Sequence, residues 1–326
     1  MIITRTPLRI TLGGGGTDLP SYYEQFGGMV ISAAIDKHIY ISSNMTFTPD
    51  YFLKYSALER VEHASDIEHP IMREVLLSHD VDPSIELVSM ADIPAGTGLG
   101  SSGAFTVGLL RAVYAMKRDH VGAAEIAAEA CRVEIERLGR PVGKQDQYVA
   151  AFGGLKVYHF KPDGSVKVSP LKISETTFHD LQEHLLIFFT GYSRAADKVL
   201  EEQRVKSTAG DSEMIENLHY VKKLGVRTQV ALEEGDCESF AAIMHEHWEH
   251  KKKRSSAMSN PNIDRWYEVG RESGALGGKL VGAGAGGFLL FFSREPRRLR
   301  AAMAAEGLSE VRFNFDIDGS VVLVRS

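Results

Sequence analysis

The 326-residue sequence has few cysteines, no long hydrophobic run and no excess of positive charge. Its two cysteines, Cys131 and Cys237, cannot form the disulfide framework that is typical of small secreted proteins. No apolar run approaches the roughly 20 residues of a membrane helix, and the first residues lack the apolar core of a signal peptide. The net charge of −6 argues against a broad nucleic-acid surface. We therefore expect a cytoplasmic protein whose partner is neither a nucleic acid nor a membrane.

The length fits one large domain or two ordinary domains. A hydrophobic content of 44% with 25% charged residues is typical of a globular protein. The sequence shows no repeat with a period of about 20–50 residues and no low-complexity segment. Polar residues interrupt the apolar pattern at about residues 170–184. We therefore predict an N-terminal domain over residues 1–180 and a C-terminal domain over residues 181–326.

A glycine-rich stretch, residues 94–104, lies between a predicted strand at 85–89 and a predicted apolar helix at 101–117. Glycines let the backbone approach a phosphate closely, and a helix start adds unpaired N–H groups and a favourable dipole. The order of strand, loop and helix therefore favours an anion site, with an ordinary glycine-rich turn as the alternative. The stretch lacks the lysine of a Walker-type loop.

A second candidate site lies near the N-terminus, where Leu8, Ile10 and Leu12 alternate as in a half-buried strand with Arg9 on the opposite face. Four glycines at 13–16 follow and lead to Asp18. This carboxylate could cap a short helix at 19–26, or it could accept hydrogen bonds from sugar hydroxyls. The sequence leaves both interpretations open.

A helix predicted at about residues 122–139 carries Glu134 in the middle of its apolar face. An inward carboxylate costs several kcal/mol unless it is paired. One interpretation is an ion pair with a neighbouring basic residue. The other is a ligand for Mg²⁺ bound to nucleotide phosphates.

Residues 245–254 combine three histidines, two glutamates and four basic residues. The spacing does not match the zinc motif His-Glu-x-x-His, so a metal site is disfavoured. A solvated helix face is the favoured interpretation of the basic run, and binding of an anionic part of a substrate is the alternative. Further along, the apolar residues at 311–315 and 321–324 predict a terminal hairpin that turns at Asp318 and Gly319.

Three glycine-containing stretches together resemble the motifs of the GHMP kinases, which include galactokinase and the homoserine and mevalonate kinases. Residues 94–104 resemble the ATP-binding motif of that family. Residues 8–10 with 16–18 resemble its substrate-side motif, and residues 279–288 resemble its third motif. Residues 143–147 match the place where many members carry a catalytic aspartate. The three motifs occur in the family's order and span nearly the whole chain.

The resemblance implies an α+β fold of two domains, with a left-handed βαβ unit in the first and a ferredoxin-like second domain. It implies ATP and Mg²⁺ as cofactors, with Ser102 and Glu134 holding the metal. Asp146 would be the base, and Arg9 would stabilise charge on the transferred group. The nucleotide would be bound by Pro94, Gly96, Gly98, Leu99, Gly100, Ser101, Ser102 and Gly103.

Within the family, the stretches around residues 6–23, 142–148 and 259–279 resemble the kinases of D-glycero-D-manno-heptose 7-phosphate, which phosphorylate the anomeric hydroxyl for nucleotide-activated heptose in surface polysaccharides. The substrate is then a small sugar phosphate. The implied substrate-binding residues are Gly16, Thr17, Asp18, Lys144, Arg194, Lys251, Lys252, Gly284 and Gly286.

Three other functions compete with this interpretation. The same subgroup resembles the kinase half of fucokinases, so an unphosphorylated sugar such as L-fucose is the main alternative substrate. A GHMP-type decarboxylase is less favoured, because the glycine-Thr-Asp stretch suits a hydroxylated substrate. A non-catalytic sugar sensor would need a damaged site, whereas Arg9, Ser102, Glu134 and Asp146 are all present. The sequence leaves open whether the protein forms a homo-oligomer.

Overall fold

The computed structural model describes residues 1–191, 196–284 and 286–326. The strands are β1 (Ile2–Gly13), β2 (Gly28–Met45), β3 (Tyr51–Lys54), β4 (Leu58–Val61), β5 (Ile85–Ala91), β6 (Leu155–Phe160), β7 (Val166–Pro170), β8 (Leu185–Gly191), β9 (Ala275–Val281), β10 (Gly287–Ser293), β11 (Ser309–Val311) and β12 (Val321–Arg325). The helices are α1 (Pro20–Phe26), α2 (Pro70–Ser78), α3 (Ser101–Lys117), α4 (Ala123–Cys131), α5 (Gln145–Phe152), α6 (Glu175–His184), α7 (Ala196–Thr208), α8 (Ser212–Glu233), α9 (Cys237–Lys252), α10 (Pro261–Glu272) and α11 (Pro296–Ala305). Over these ranges, no helix has the length and apolarity that a membrane span requires.

The first sheet contains eight strands in the order β12-β1-β2-β5-β3-β4, and β6 and β7 continue it from β2. β2 is long enough to pair with β5 along one half and with β6 along the other. β3 and β5 form a parallel pair, which α2 connects. Helix α3 packs against β1 and β2 and is buried along most of its length, as its apolar sequence predicts.

The second sheet has the strand order β11-β8-β10-β9, and its neighbouring strands are antiparallel. Numbered in chain order within this sheet, the strands lie as 4-1-3-2, which is the order of a ferredoxin-like fold. Every residue of β10 is buried, because both faces of the strand are covered. The α+β class and the ferredoxin-like second unit are therefore confirmed. The left-handed sense of the N-terminal βαβ unit stays a prediction.

The predicted terminal hairpin is wrong. β11 pairs with β8 in the second sheet, whereas β12 crosses to the first sheet and pairs with β1, with Ile3 opposite Val324. Alternating apolar residues identify a strand, but they do not identify its partner. The predicted boundary at residue 180 therefore separates the two sheets except for β12, which belongs to the first sheet.

Candidate active site

A cleft lies where the glycine loop before α3, the start of α5, the end of α9 and the loop between β9 and β10 meet. Side chains from β1 and from the loop after it complete its walls. The residues of most interest that line the cleft are Arg9, Gly16, Asp18, Gly96, Gly98, Gly100, Ser101, Ser102, Arg140, Asp146, His247, Lys251, Arg254, Lys279, Gly282, Gly284 and Gly286.

The glycine loop has the backbone geometry of an anion cradle. Gly100 adopts a left-handed conformation with φ of 80° and begins α3, and no side chain caps this helix start. The first N–H groups of a helix have no intrahelical acceptor, so those of Ser101 and Ser102 at the cleft wall are available to a ligand. A Cβ added at Gly96 would meet open space. This end of the cleft therefore suits phosphate groups.

Not every predicted nucleotide-binding residue of this loop faces the cleft. Leu99 is fully buried, and its carbonyl accepts a hydrogen bond from the Arg9 N–H. The carbonyl of the exposed Pro94 accepts from the Thr97 hydroxyl and closes the turn. A Cβ at Gly103 would lie 2.7 Å from the Cβ of Asp146. These positions shape the loop or let α3 approach α5 closely.

Arg9 and Asp146 meet in the cleft although 137 residues separate them in the sequence. The Nε and Nη2 atoms of Arg9 lie 2.8 and 2.7 Å from Oδ1 of Asp146. Nη1 of the same guanidinium donates to the Gly98 carbonyl at 2.7 Å. Arg9 is buried on β1, and Asp146 lies in the first turn of α5. A carboxylate and a fixed cation thus stand directly beside the glycine loop.

Asp18 also lines the cleft and does not cap α1. Its two oxygens accept hydrogen bonds from the backbone N–H groups of Gly16 and Gln145, at 3.1 and 3.2 Å. Helix α1 begins after Leu19 without a side-chain cap, so the capping interpretation is wrong. Burial and the neighbouring Asp146 carboxylate raise the pKa of Asp18. A Cβ at Gly143 would lie 1.9 Å from Asp18 Oδ2, so only glycine fits there.

Glu134 lies in a segment that departs from the predicted helix. The α-helical part ends at Cys131, and a π-helical turn follows over Arg132–Arg137. Such turns insert an extra residue and redirect side chains, often at functional sites. Glu134 is 1% exposed and accepts hydrogen bonds from the Ser102 hydroxyl at 2.5 Å and from the Gln147 amide at 2.9 Å. Burial raises its pKa.

The Ser102–Glu134 pair suits a divalent cation. Arg140 Nη1 donates to Glu134 Oε2 at 2.8 Å and also to the Ser102 hydroxyl. The ion-pair interpretation of Glu134 is therefore confirmed, and the partner is Arg140. Hydroxyl and carboxylate oxygens are the ligands that Mg²⁺ prefers. In this structure the Arg140 guanidinium balances the charge of the Glu134 carboxylate.

A cluster of buried basic side chains lines another part of the cleft wall. Lys251, Arg254 and Lys279 are 8%, 4% and 3% exposed, and the buried His247 lies beside them. Among the described residues, none of the three basic side chains forms an ion pair with an Asp or Glu. Lys251 and Arg254 belong to the basic run at 245–254, so a solvated face is the wrong interpretation for both of them.

The remaining predicted substrate-binding residues divide into two groups. Gly16, Gly284 and Gly286 line the cleft, and their contact with a substrate stays a prediction. Thr17 is buried and bonds to the carbonyls of residues 14 and 29, and Lys144 donates to the Gly164 carbonyl. Lys252 forms an ion pair with Glu249 outside the cleft. The structure thus does not bring these three side chains to the cleft.

Two further expectations concern the remaining basic and histidine residues. Arg194 lies outside the described residues. The histidine-rich run forms no metal-binding group of His, Cys, Asp or Glu within the described ranges. His245 instead bonds to the Tyr267 hydroxyl, and His250 stacks on Tyr220.

Sequence reasoning missed Lys279, Arg254, His247 and Arg140 as cleft residues. Lys279 offered a usable signal, because it is the only charged residue in the otherwise apolar or glycine strand β9. A lysine in a strand buried on both faces needs a partner or a function. The other three lie on helical or loop segments where the sequence pattern alone does not separate inward from outward positions.

Removing the Lys279 charge is expected to stabilise the protein at low pH. Burial, together with repulsion from Arg254 and Arg9, lowers the pKa of Lys279 to about 7. The lysine pKa in the unfolded chain is about 10.4. Between pH of about 7 and about 10.4 the unfolded chain therefore binds more protons than the folded protein, and the free energy of unfolding rises with pH. Below pH 7, Lys279 is charged in the folded protein as well, and the folded state then bears the full free-energy cost of burying that charge.

We therefore expect Lys279→Met to raise the free energy of unfolding at pH 6, on the order of 3 kcal/mol after loss of one hydrogen bond. The gain should shrink as the pH approaches 10. Thermal unfolding at pH 6 and pH 9 measures it, with the exposed Lys223→Met as the control. A gain that is equal at both pH values contradicts the assignment.

Comparison with known proteins agrees with these features. A family model described as the GHMP kinases N terminal domain matches residues 55–154, and one described as GHMP kinases C terminal matches residues 228–308. D-glycero-alpha-D-manno-heptose 7-phosphate kinase of Campylobacter jejuni is 33% identical over 303 residues, which covers 89% of each chain.

Two further relatives match nearly the whole of this chain. The L-fucokinase/L-fucose-1-P guanylyltransferase of Bacteroides fragilis is 26% identical over 90% of this chain and 34% of its own. The crystal structure of a D-glycero-D-manno-heptose 1-phosphate kinase from Bacteroides thetaiotaomicron superimposes with a TM-score of 0.80, 26% identity and complete coverage of both chains.

Proposed function

This chain is a sugar kinase of the GHMP kinase family, and from that premise we propose that it transfers the γ-phosphate of ATP to the anomeric hydroxyl of D-glycero-D-manno-heptose 7-phosphate. The product would be the 1,7-bisphosphate. The observation that carries the proposal is the Arg9–Asp146 pair, which stands beside an uncapped glycine loop and within the same cleft as Ser102.

Phosphoryl transfer depends mainly on positioning and on neutralising charge. In the proposed reaction the N–H groups of Ser101 and Ser102 hold phosphate oxygens of ATP. Asp146 orients the anomeric hydroxyl and accepts its proton, and Arg9 stabilises the charge that develops on the transferred group. The Arg9–Asp146 contact keeps both groups in place before the substrates bind.

Ser102 and Glu134 are the residues that would hold Mg²⁺, which neutralises phosphate charge when it is bound. Arg140 donates to both oxygens, so its guanidinium and a metal ion compete for the same carboxylate. Gln147 donates to the other carboxylate oxygen of Glu134 and holds that side chain in position.

Two kinds of relative bear on the identity of the sugar. Two relatives carry heptose phosphate in their names, as a 7-phosphate kinase and a 1-phosphate kinase. The match over 90% of this chain to the fucokinase-containing protein favours L-fucose as the second candidate. Asp18, which lines the cleft near Asp146, would accept hydrogen bonds from sugar hydroxyls in either case.

A turnover assay with ATP, Mg²⁺ and a panel of sugars tests the proposal. The panel contains D-glycero-D-manno-heptose 7-phosphate, the unphosphorylated heptose, L-fucose and D-galactose. We expect the highest kcat/KM with the heptose 7-phosphate, and a ³¹P NMR signal of an anomeric phosphate in the product. A higher kcat/KM with L-fucose selects the second candidate. Absence of transfer to every sugar overturns the kinase proposal.

A further inference from the structure

The cleft holds more buried basic side chains than the described carboxylates pair with. Arg9 is paired with Asp146, whereas Lys251, Arg254 and Lys279 have no acidic partner among the described residues. Burying an unpaired ion costs several kcal/mol even after relaxation. An arrangement of three such groups around one cavity therefore has the charge pattern of an anion site.

The two lysines reach the cavity from different elements. Lys279 Nζ, on β9, donates to the Leu12 carbonyl at 3.1 Å. Lys251 Nζ, near the end of α9, donates to the carbonyls of Leu280 and Gly282 at 3.1 and 2.5 Å. Because an ammonium group has three donors, both lysines keep donor capacity beyond these contacts.

Arg254 and His247 show the same incomplete pairing more directly. Arg254 donates to Asn217 Oδ1 at 2.9 Å and to the Gly15 carbonyl at 3.1 Å, but its buried Nη2 has no partner. The Nε2 atom of His247, which is 3% exposed, also has no partner. Buried polar atoms without a partner are rare in proteins, and the unpaired guanidinium donor of Arg254 indicates a missing acceptor. Both side chains line the cleft.

The position of Arg254 places this site at the sugar end of the cleft. Its guanidinium lies against Gly15 and Gly16, in the loop that leads to Asp18. Asp18 is also close enough to affect the pKa of Arg254. The N–H groups proposed to bind the phosphates of ATP belong instead to the start of α3, beside the Arg9–Asp146 pair.

We propose that Lys251, Arg254, Lys279 and His247 form a subsite for the phosphate monoester of the sugar substrate, separate from the site of the ATP phosphates. This inference rests on the proposed function and names the feature by which the protein selects a phosphorylated sugar. A phosphate dianion supplies several acceptor oxygens for the donors described above. It also balances the charge that the described carboxylates leave uncompensated.

The electrostatics of the cluster give the subsite a measurable signature. Burial, together with repulsion from Arg254 and Arg9, lowers the pKa of Lys279 to about 7. The same causes lower the pKa of His247. A bound phosphate favours the charged forms of these groups, so its binding at pH 8 should take up protons.

Calorimetry without ATP tests the subsite directly. The wild-type protein and the variants Lys279→Gln, Arg254→Gln and Lys251→Gln are titrated with heptose 7-phosphate and with the unphosphorylated heptose. The exposed Lys223→Gln serves as a matched control. Titrations at pH 8 in two buffers of different ionisation enthalpy give the number of protons taken up. A separate titration with ATP and Mg²⁺ measures nucleotide affinity, and melting temperatures verify folding.

We expect each cleft variant to weaken binding of heptose 7-phosphate by about 10–100-fold, because each loses one charge-assisted interaction. Binding of the unphosphorylated heptose and of ATP should change less than about twofold. Lys279→Gln should also reduce proton uptake. The control should resemble the wild-type protein in every titration.

Two results would overturn the subsite. If the variants weaken ATP binding and leave heptose 7-phosphate binding unchanged, the cations serve the nucleotide. If wild-type protein binds the unphosphorylated heptose as tightly as the 7-phosphate, no phosphate subsite exists, although the kinase proposal still stands. Failure of the kinase proposal itself appears in the turnover assay, since calorimetry needs no turnover.

Discussion

Asp146→Asn is expected to lower kcat by about 10²–10⁴-fold, the usual contribution of a positioned general base. Asparagine has nearly the same shape, but it cannot accept the proton of the anomeric hydroxyl. It also removes the charge that pairs with Arg9, whose guanidinium contacts Asp146 at 2.7–2.8 Å. Affinity for ATP should change little, because the nucleotide donors lie in the glycine loop and at the start of α3.

Steady-state kinetics with heptose 7-phosphate measures this loss, and calorimetry with ATP measures nucleotide affinity. Asp82→Asn is the matched control, since Asp82 is exposed and does not line the cleft. Its kcat should equal that of the wild-type protein. A kcat within about threefold of wild type for Asp146→Asn would show that this carboxylate is not the base.

The second large effect is expected for Glu134→Gln, which should raise the Mg²⁺ concentration needed for half-maximal activity by about 10–100-fold. The estimate follows from the loss of one charged ligand, worth about 1.5–3 kcal/mol. The same shift should occur in the Mg²⁺ dependence of ATP binding, which requires no turnover. Glutamine keeps the side-chain length and can still accept a hydrogen bond from Ser102 or Gln147.

Glu129→Gln is a close control for this experiment. Glu129 lies on α4, five residues before Glu134, and is also buried, but it bonds to His79 and Tyr114 and does not line the cleft. We expect its Mg²⁺ dependence to be that of the wild-type protein. If the Mg²⁺ concentration needed for half-maximal activity rises equally in both variants, the cause is a change in helix packing and not the loss of a metal ligand.

Unfolding does not explain the expected loss in Glu134→Gln. Burial raises the pKa of Glu134, so at neutral pH its charged form costs stability in the folded protein. A neutral glutamine removes that cost, although it also weakens the contact with Arg140. The melting temperature of the variant should therefore stay close to that of wild type, and its measurement separates metal binding from folding.

The sequence predicts the helices and strands near the cleft well, because their apolar periodicity is strong. The strand that contains Arg9 and the helix that follows the glycine loop are both confirmed. The inward position of Glu134 is also confirmed by its burial. The π-helical turn that carries this residue could not be predicted, since its insertion depends on tertiary packing and not on local propensity.

The long-range contacts of the cleft could not be predicted from the sequence. The meeting of Arg9 with Asp146 depends on how β1, α3 and α5 pack together, which periodicity does not specify. The sequence also does not show which of Lys251 and Lys252 faces the cleft, and it predicts both as substrate-binding residues. Successive helical residues point about 100° apart, so only the first of the pair reaches the cleft.

The place of β12 in the first sheet has a consequence for how the protein is made. One of the two hydrogen-bonding partners of β1 consists of residues 321–325, which are synthesised long after β1 itself. During translation this edge of β1 has no neighbouring strand and is open to pairing with other chains. The first sheet therefore closes at this edge only after residues 321–325 have been produced, and closure across so long a separation makes folding slow. A fragment of residues 1–180 would retain that open edge permanently and is expected to self-associate.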